Sequence, residues 1–334
     1  FYYQKSEGKM RIAVNQQDGK FPNLALLQIA QYHILQGHSV EWFTPFNTSY
    51  YDKIYSSRIF NTTKRPLYLP MDTIEGGTGI DPSLKLPIEI EKIRPRFEAW
   101  KALYPNFERN LGFSQKGCRL ACKFCVVPKK EGKNVRYSGI KDLMVKPSKD
   151  LVLMDNDFFG GPDWEDNMQY MIEHSIRPSF VQGLNIRLLT EEQAQYLAKV
   201  DFRNASHKKK QLTFAWDRPK DEKLIMRGFK RCVDAGIKPY KLQFFILIGF
   251  DTTFDQDMHR VQKIKDMGCD PFVMRMLERK YYASEFELKR ARHFQRWVNG
   301  RLIKKISFKD YEPWKKMIKG EDNGSKFISS HACE

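Results

Sequence analysis

The chain has 334 residues, of which 41 % are hydrophobic and 13 % aromatic, and a formal net charge of +17. That length suits one large domain plus a smaller one, and the composition excludes disorder over most of it. No apolar run approaches the roughly 18 residues of a membrane helix, so no membrane partner is expected, whereas the charge suggests a polyanionic one.

The opening Phe1-Tyr2-Tyr3-Gln4-Lys5-Ser6 lacks the pattern of a signal peptide. Met10 reads as the native start, and the expected location is the cytoplasm. Residues 10–15 read as a strand, and the apolar positions Leu24, Leu27, Ile29, Ala30, Ile34 and Leu35 predict a helix that Gly37 ends. A second strand follows at Ser39-Val40-Glu41-Trp42-Phe43, and 52–60 can give a further one. Strand, helix and strand joined by short loops make a parallel βαβ unit, so residues 10–85 read as a small Rossmann-like domain. Gly76, Gly77, Gly79 and several prolines give 70–90 the composition of a loop, and 86–107 reads as a linker.

From 108 to 278 the alternation resumes. Strands are expected at 151–156, 178–187, 211–217, 241–249 and 270–276, and helices at 163–174, 190–199, 221–235 and 253–267. Thr190 and Gln193 form a capping box. The expected fold class is therefore α/β. Six strand–helix units starting at the cysteine loop would make a partial (β/α)6 barrel of the TIM type.

Residues 279–320 read as a basic, mostly helical extension, with a tail at 321–334. Between 279 and 319 lie thirteen Lys and Arg against four Asp and Glu, interleaved with aromatics such as Tyr281, Tyr282, Phe308, Tyr311 and Trp314. Cations neutralise phosphates and aromatic faces stack on bases, so the segment suits RNA or DNA. Phe294, Trp297 and Val298 have helical spacing and read instead as a face packed on the barrel.

Six cysteines stand at 118, 122, 125, 232, 269 and 333. Cys232 lies on an apolar helical face and Cys269 opens a strand, so both read as structural; Cys333 reads as incidental. Cys118, Cys122 and Cys125 have the spacing C-x3-C-x2-C. Three thiolates on one short loop can hold a metal, and no nearby Cys or His supplies the fourth ligand of a structural zinc site. A four-iron cluster with one open iron fits better, with a zinc knuckle as the alternative.

Gly117-Cys118-Arg119-Leu120-Ala121-Cys122-Lys123-Phe124-Cys125, followed by Val126-Val127-Pro128, resembles the radical S-adenosylmethionine (SAM) superfamily over about residues 108–277. The resemblance implies a [4Fe-4S] cluster on the three cysteines and SAM chelated at its open iron. It also implies reductive cleavage to a 5′-deoxyadenosyl radical, oxygen sensitivity, and a reducing partner such as flavodoxin or ferredoxin. Phe124 holds the family's aromatic position beside the cluster. Carried over by position, Asn156 and Asp157 at the end of the second strand are candidates for the SAM ammonium group, although the family's Gly-Gly-Glu is absent. Asp217 is a candidate for a ribose or substrate hydroxyl, and Gly249 for backbone contact to adenine. Asn185 and Arg187, alternating along the third expected strand, and Arg275 on the sixth are candidates for the inner pocket.

The amino-terminal segment resembles the cobalamin-binding domain that precedes the barrel in one radical SAM subgroup. The lower-ligand Asp-x-His-x-x-Gly is absent, however, so cobalamin bound through a histidine is not expected. The Val-Val-Pro sequence is similar to that of tRNA methylthiotransferases, but residues 1–117 lack the cysteines of their second cluster. The leading expectation is an enzyme modifying a nucleic-acid base or nucleotide. The alternatives are a radical SAM enzyme acting on a peptide or small metabolite, and a non-catalytic nucleic-acid-binding protein with a structural metal.

Overall fold

The computed structural model describes residues 8–319; Cys333 and the tail lie outside them. The fold is mixed α/β with parallel sheets. The first sheet has the order β2-β1-β3-β4, built from β1 (Arg11–Gln16), β2 (Ser39–Trp42), β3 (Lys53–Ser57) and β4 (Ile74–Gly76), all parallel. Central β1 buries Ile12, Ala13 and Val14 in succession, as a strand covered on both faces does. Helix α1 (Leu24–Leu35) crosses from β1 to β2. Asn23 caps it by accepting the Leu26 N–H, and Gly37 ends it in the left-handed region at φ +81°.

Strand β4 was not foreseen. Gly77 and Gly79 read as loop punctuation, yet they let two backbones meet: a Cβ on Gly77 would lie 2.3 Å from the Arg58 carbonyl oxygen, and one on Gly79 2.5 Å from that of Phe60. The stretch read as a linker is also structured. It contains α2 (Ile88–Glu91) and α3 (Phe97–Leu103), and α3 buries Ala99, Trp100 and Leu103. The indole of Trp42 donates to the Leu103 carbonyl at 2.6 Å, and Gln28 donates to the carbonyls of Glu91 and Ile93. Trp100 and Leu103 share one apolar cluster with Val14 of β1 and with Leu111 and Val152 from the following strands.

Two further parallel sheets follow. The first, ordered β5-β8-β9, contains β5 (Asn110–Gly112), β8 (Asp150–Leu153) and β9 (Arg177–Phe180). The second, β10-β11-β12, contains β10 (Leu212–Ala215), β11 (Leu242–Ile248) and β12 (Asp270–Arg275). A parallel bridge between Leu184 and Phe214 links them. Between β5 and β8 the chain forms a short antiparallel ribbon of β6 (Gln115–Lys116) and β7 (Val135–Arg136), which encloses α4 (Val127–Lys130), and then α5 (Ile140–Leu143).

The covering helices α6 (Trp164–Glu173), α7 (Glu191–Lys199), α8 (Glu222–Asp234) and α9 (Phe254–Asp266) lie within two residues of their expected bounds. The Thr190–Gln193 capping box is present, and Thr253 with Gln256 forms a second. Cys232 and Cys269 are buried in the main core, as read from the sequence. Helix α10 (Glu285–Asn299) buries Phe294, Trp297 and Val298, and α11 (Glu312–Ile318) follows. Among the described residues no helix is long and apolar enough to cross a membrane.

Helix α8 approaches the chain after β9 through Gly228, where a Cβ would lie 2.2 Å from the Ile186 carbonyl oxygen. That oxygen is backbone and cannot swing aside. Gly228→Ala is expected to cost about 1–3 kcal/mol by overpacking, even though alanine is the better helix former. A urea titration checks this, and an unchanged midpoint would contradict the close packing.

Candidate functional site

The cysteine loop leaves the carboxyl end of β5 on the β6–β7 ribbon. Gly117 takes φ +86°, and a Cβ there would lie 2.2 Å from the Lys133 carbonyl oxygen, so the two sides of the ribbon touch. The Cys118 N–H donates to the Gly132 carbonyl at 3.1 Å, and the Cys125 N–H to the Cys122 carbonyl at 3.0 Å.

Two carboxylates fix this loop to the sheet. Glu131 accepts from the Gly117 N–H at 2.8 Å and from the Asn156 amide at 2.9 Å. Asp157 accepts from the backbone N–H of Arg119 at 3.1 Å and from its guanidinium at 2.7 and 3.0 Å. The Asp157 side chain is 1 % exposed. Of the two candidates at the end of β8, Asp157 has its carboxylate on Arg119 and holds the cysteine loop, and Asn156 donates to that loop through Glu131. The clue available in the sequence was Arg119 inside the cysteine motif, a cation that needs an acid once half-buried.

The three thiols are half-buried. Burial pushes Cys118 up to about 11 and raises Cys125. A Leu120 N–H 3.4 Å from the Cys118 sulfur and the Val127 N–H on Cys125 pull the other way. Cys118 lies in the field of Cys125 and Cys122, and Cys125 in that of Cys122. As the side chains stand, no group of three or more His, Cys, Asp or Glu among the described residues could hold a metal ion. The chemistry of the donor set fits an iron–sulfur cluster: three sulfurs on one loop, with backbone N–H donors aimed at two of them. Such binding would displace the thiol protons and draw the sulfurs together.

Other candidates sit at the carboxyl ends of the parallel strands. Phe124 meets Phe250, just after β11, edge to face at 5.4 Å, and Phe250 meets Tyr281 at 5.9 Å. Gly249 has φ +78°, and a Cβ there would lie 2.7 Å from the Tyr282 hydroxyl oxygen and 2.8 Å from its ring. That face of Gly249 is therefore occupied by Tyr282, whose hydroxyl donates to the Met276 carbonyl at 2.8 Å.

Asp217 follows β10. Burial raises its pKa, while the Leu247 N–H and the charges of Arg260 and Arg187 oppose the shift. Its field reaches Cys125, and that of Cys122 reaches Arg218, so this strand end and the cysteine loop lie within electrostatic reach of each other.

Asn185 and Arg187 correct one expectation. Strand β9 stops at Phe180, Gly183 turns at φ +80°, and Ile186–Leu188 is a 3-10 turn, so the period-two argument for one shared face fails. The pair nevertheless meets: Arg187 Nε donates to the Asn185 side-chain amide oxygen at 3.1 Å, and its Nη1 to Asp221 at 2.8 Å. Asp221, also held by Arg218, was not singled out in the sequence. Arg275 is half-buried beside Tyr282, with Arg292 and Arg296 of α10 nearby, and it belongs to that packing.

Asp155 was also missed. It is fully buried after β8 and accepts from the backbone N–H of Ser114 at 2.8 Å and from the Ser114 hydroxyl. Burial nevertheless pushes its pKa up from 3.8 to about 7. The folded state then holds this proton more tightly than the unfolded chain, so its contribution to stability is full below about pH 4 and is lost as pH rises through 7. His33, lowered by burial to about 4, acts in the opposite sense and loses its contribution as pH falls below 6.5. The expected result is that Asp155→Asn gains stability relative to wild type between pH 5 and 8. Parallel urea titrations across that range check it, and curves that stay parallel would contradict it.

The chain matches no family model and no curated protein sequence.

Proposed function

We propose that this chain is a radical SAM enzyme in which Cys118, Cys122 and Cys125 hold a [4Fe-4S] cluster, acting on a nucleic-acid base or nucleotide. The observation that carries the reading is the C-x3-C-x2-C loop anchored at the carboxyl ends of a run of parallel strands, where α/β enzymes keep their chemistry. In this reading β5 and β8 to β12 form a partial (β/α)6 barrel, joined through the Leu184–Phe214 bridge. The first sheet is a Rossmann-like cap that works without cobalamin. A flavodoxin or ferredoxin delivers electrons, and the protein acts in the cytoplasm.

The chemistry supplied with cluster and SAM bound is reductive cleavage of a C–S bond to methionine and a 5′-deoxyadenosyl radical, which abstracts hydrogen from substrate. The chain's own residues position that event. Arg119 with Asp157, and Glu131 with Gly117 and Asn156, fix the loop against the sheet. Phe124 packs edge to face on Phe250 beside the third cysteine. Asp217 lies within electrostatic reach of the loop and would offer a carboxylate to a ligand hydroxyl or ammonium group.

The test is protein purified and reconstituted without oxygen, reduced with dithionite and given SAM. Iron with matching sulfide and the appearance of 5′-deoxyadenosine support the reading. Zinc in place of iron and sulfide, with no cleavage, would overturn it in favour of a non-catalytic metal-containing nucleic-acid-binding protein.

A further inference from the structure

The basic carboxy-terminal segment folds back along α9 and leaves an open groove of about 660 Å³. Its floor is aromatic. Phe308 and Trp314 stack at 5.0 Å with their planes 27° apart, and Phe254 of α9 meets Phe308 at 5.6 Å. Its rim carries Lys265, Arg290, Lys304, Lys305 and Lys309, and among the described residues no Asp or Glu lines it.

The rim lysines stand outside the core, whereas Arg290 lies over the Phe254 ring at 4.5 Å and belongs to the packing. Lys304, Lys305 and Lys309 are exposed, and the buried face of α10 is made by other residues. Three of the cations have acids that do not themselves line the groove: Lys304 pairs with Asp270 at 3.7 Å, Arg290 pairs with Glu287 at 3.8 Å, and the charge of Lys309 acts on Asp310. Pairs at such exposure contribute little. Like charges around an apolar floor repel one another, and a polyanion relieves that repulsion.

We infer that this groove binds single-stranded nucleic acid, with phosphates along the lysine rim and an unpaired base on the half-exposed ring of Trp314, which buried Phe308 backs from the core side. Stacking needs a free base face, which favours a single strand over a duplex, and the aromatic floor favours bases over an acidic peptide. Phe254, at the groove's end, is four residues beyond Phe250, whose ring meets Phe124 of the cysteine loop. That short stretch of chain joins one side of the groove to the cysteine loop. As a substrate-holding surface the groove rests on the function proposed above; as a binding surface it can be tested without cluster or SAM.

The experiment uses the full chain and a fluorescein-labelled oligouridylate of about 12 nucleotides, a length within the span of known single-strand sites, read by anisotropy across a salt series. Wild type is expected to bind with a steep salt dependence. Lys304→Glu, Lys305→Glu and Lys309→Glu together should weaken binding roughly tenfold or more and lower the salt slope by about 2, from three lost phosphate contacts. The same reversal at exposed Lys101, Lys141 and Lys199, which changes net charge equally, should shift affinity by no more than about twofold if contact rather than net charge governs binding. Trp314→Leu should weaken binding by roughly fivefold or more with the slope kept, as loss of one stacked base predicts.

Absence of binding at low salt, equal losses from the two triple variants, or competition by polyglutamate as strong as by unlabelled RNA would overturn the inference. Failure of the radical SAM reading would show separately, as binding intact in a protein that never forms 5′-deoxyadenosine.

Discussion

Cys122→Ala is expected to reduce 5′-deoxyadenosine formation to the level of cluster-free protein, while the chain unfolds within about 1 kcal/mol of wild type. Cys122 is half-buried on the loop, so truncating it opens no core cavity. The loop keeps its carboxylate anchors at Glu131 and Asp157, neither of which touches Cys122 through the bonds described. What is lost is one of three ligands, and two thiolates do not retain a four-iron cluster with one open iron. Cys232→Ala provides the opposite case. Cys232 is fully buried in α8, so its truncation should cost about 1–2 kcal/mol and leave SAM cleavage intact. Anaerobic product assays beside urea titrations separate the two. Cleavage retained by Cys122→Ala would sink the cluster assignment, and cleavage lost by a folded Cys232→Ala would show that the loop is not where the chemistry starts.

The parts read correctly from sequence are those that a local pattern specifies. Apolar runs such as 242–248 and amphipathic helices such as 254–266 carry their period in adjacent residues, and their capping boxes fix the starts. The parts missed depend on contacts distant in sequence. Strand β4 is weakly patterned and exists because Gly77 and Gly79 admit the backbones of Arg58 and Phe60. Helix α3 is seven residues long, too short for a periodicity to stand out, and its burial depends on α1. The same holds at the site. The three cysteines announce themselves by spacing, whereas the commitment of Asp157 to Arg119 and of Arg187 to Asp221 joins residues 38 and 34 positions apart. A carboxylate at a strand end looks open in a sequence; only the fold shows the cation already on it.

The buried pair Arg260 and Asp257 carries the largest expected effect on stability. Arg260 is fully buried on α9, donates to the carbonyls of Trp216 at 2.7 Å and Leu247 at 2.9 Å, and pairs with Asp257. Those carbonyls belong to the ends of β10 and β11, next to Asp217 and Ile248-Gly249, so one guanidinium ties these two strand ends together. Burial lowers the pKa of Arg260 and raises that of Asp257, and each charge offsets the cost for the other. Asp257→Ala leaves the guanidinium buried without its counter-charge and is expected to cost about 3–5 kcal/mol. Arg260→Met also leaves two carbonyl groups unbonded, each worth about 1–3 kcal/mol. Combining Asp257→Ala with Arg260→Met removes both charges, so the double variant should be destabilised by clearly less than the sum of the singles. Urea titrations of the four proteins provide the cycle. Additive losses, or a single variant with an unchanged midpoint, would show that the pair is not coupled. The expected non-additive result would identify a charge pair inside the core as the brace that sets where Asp217 and Gly249 stand.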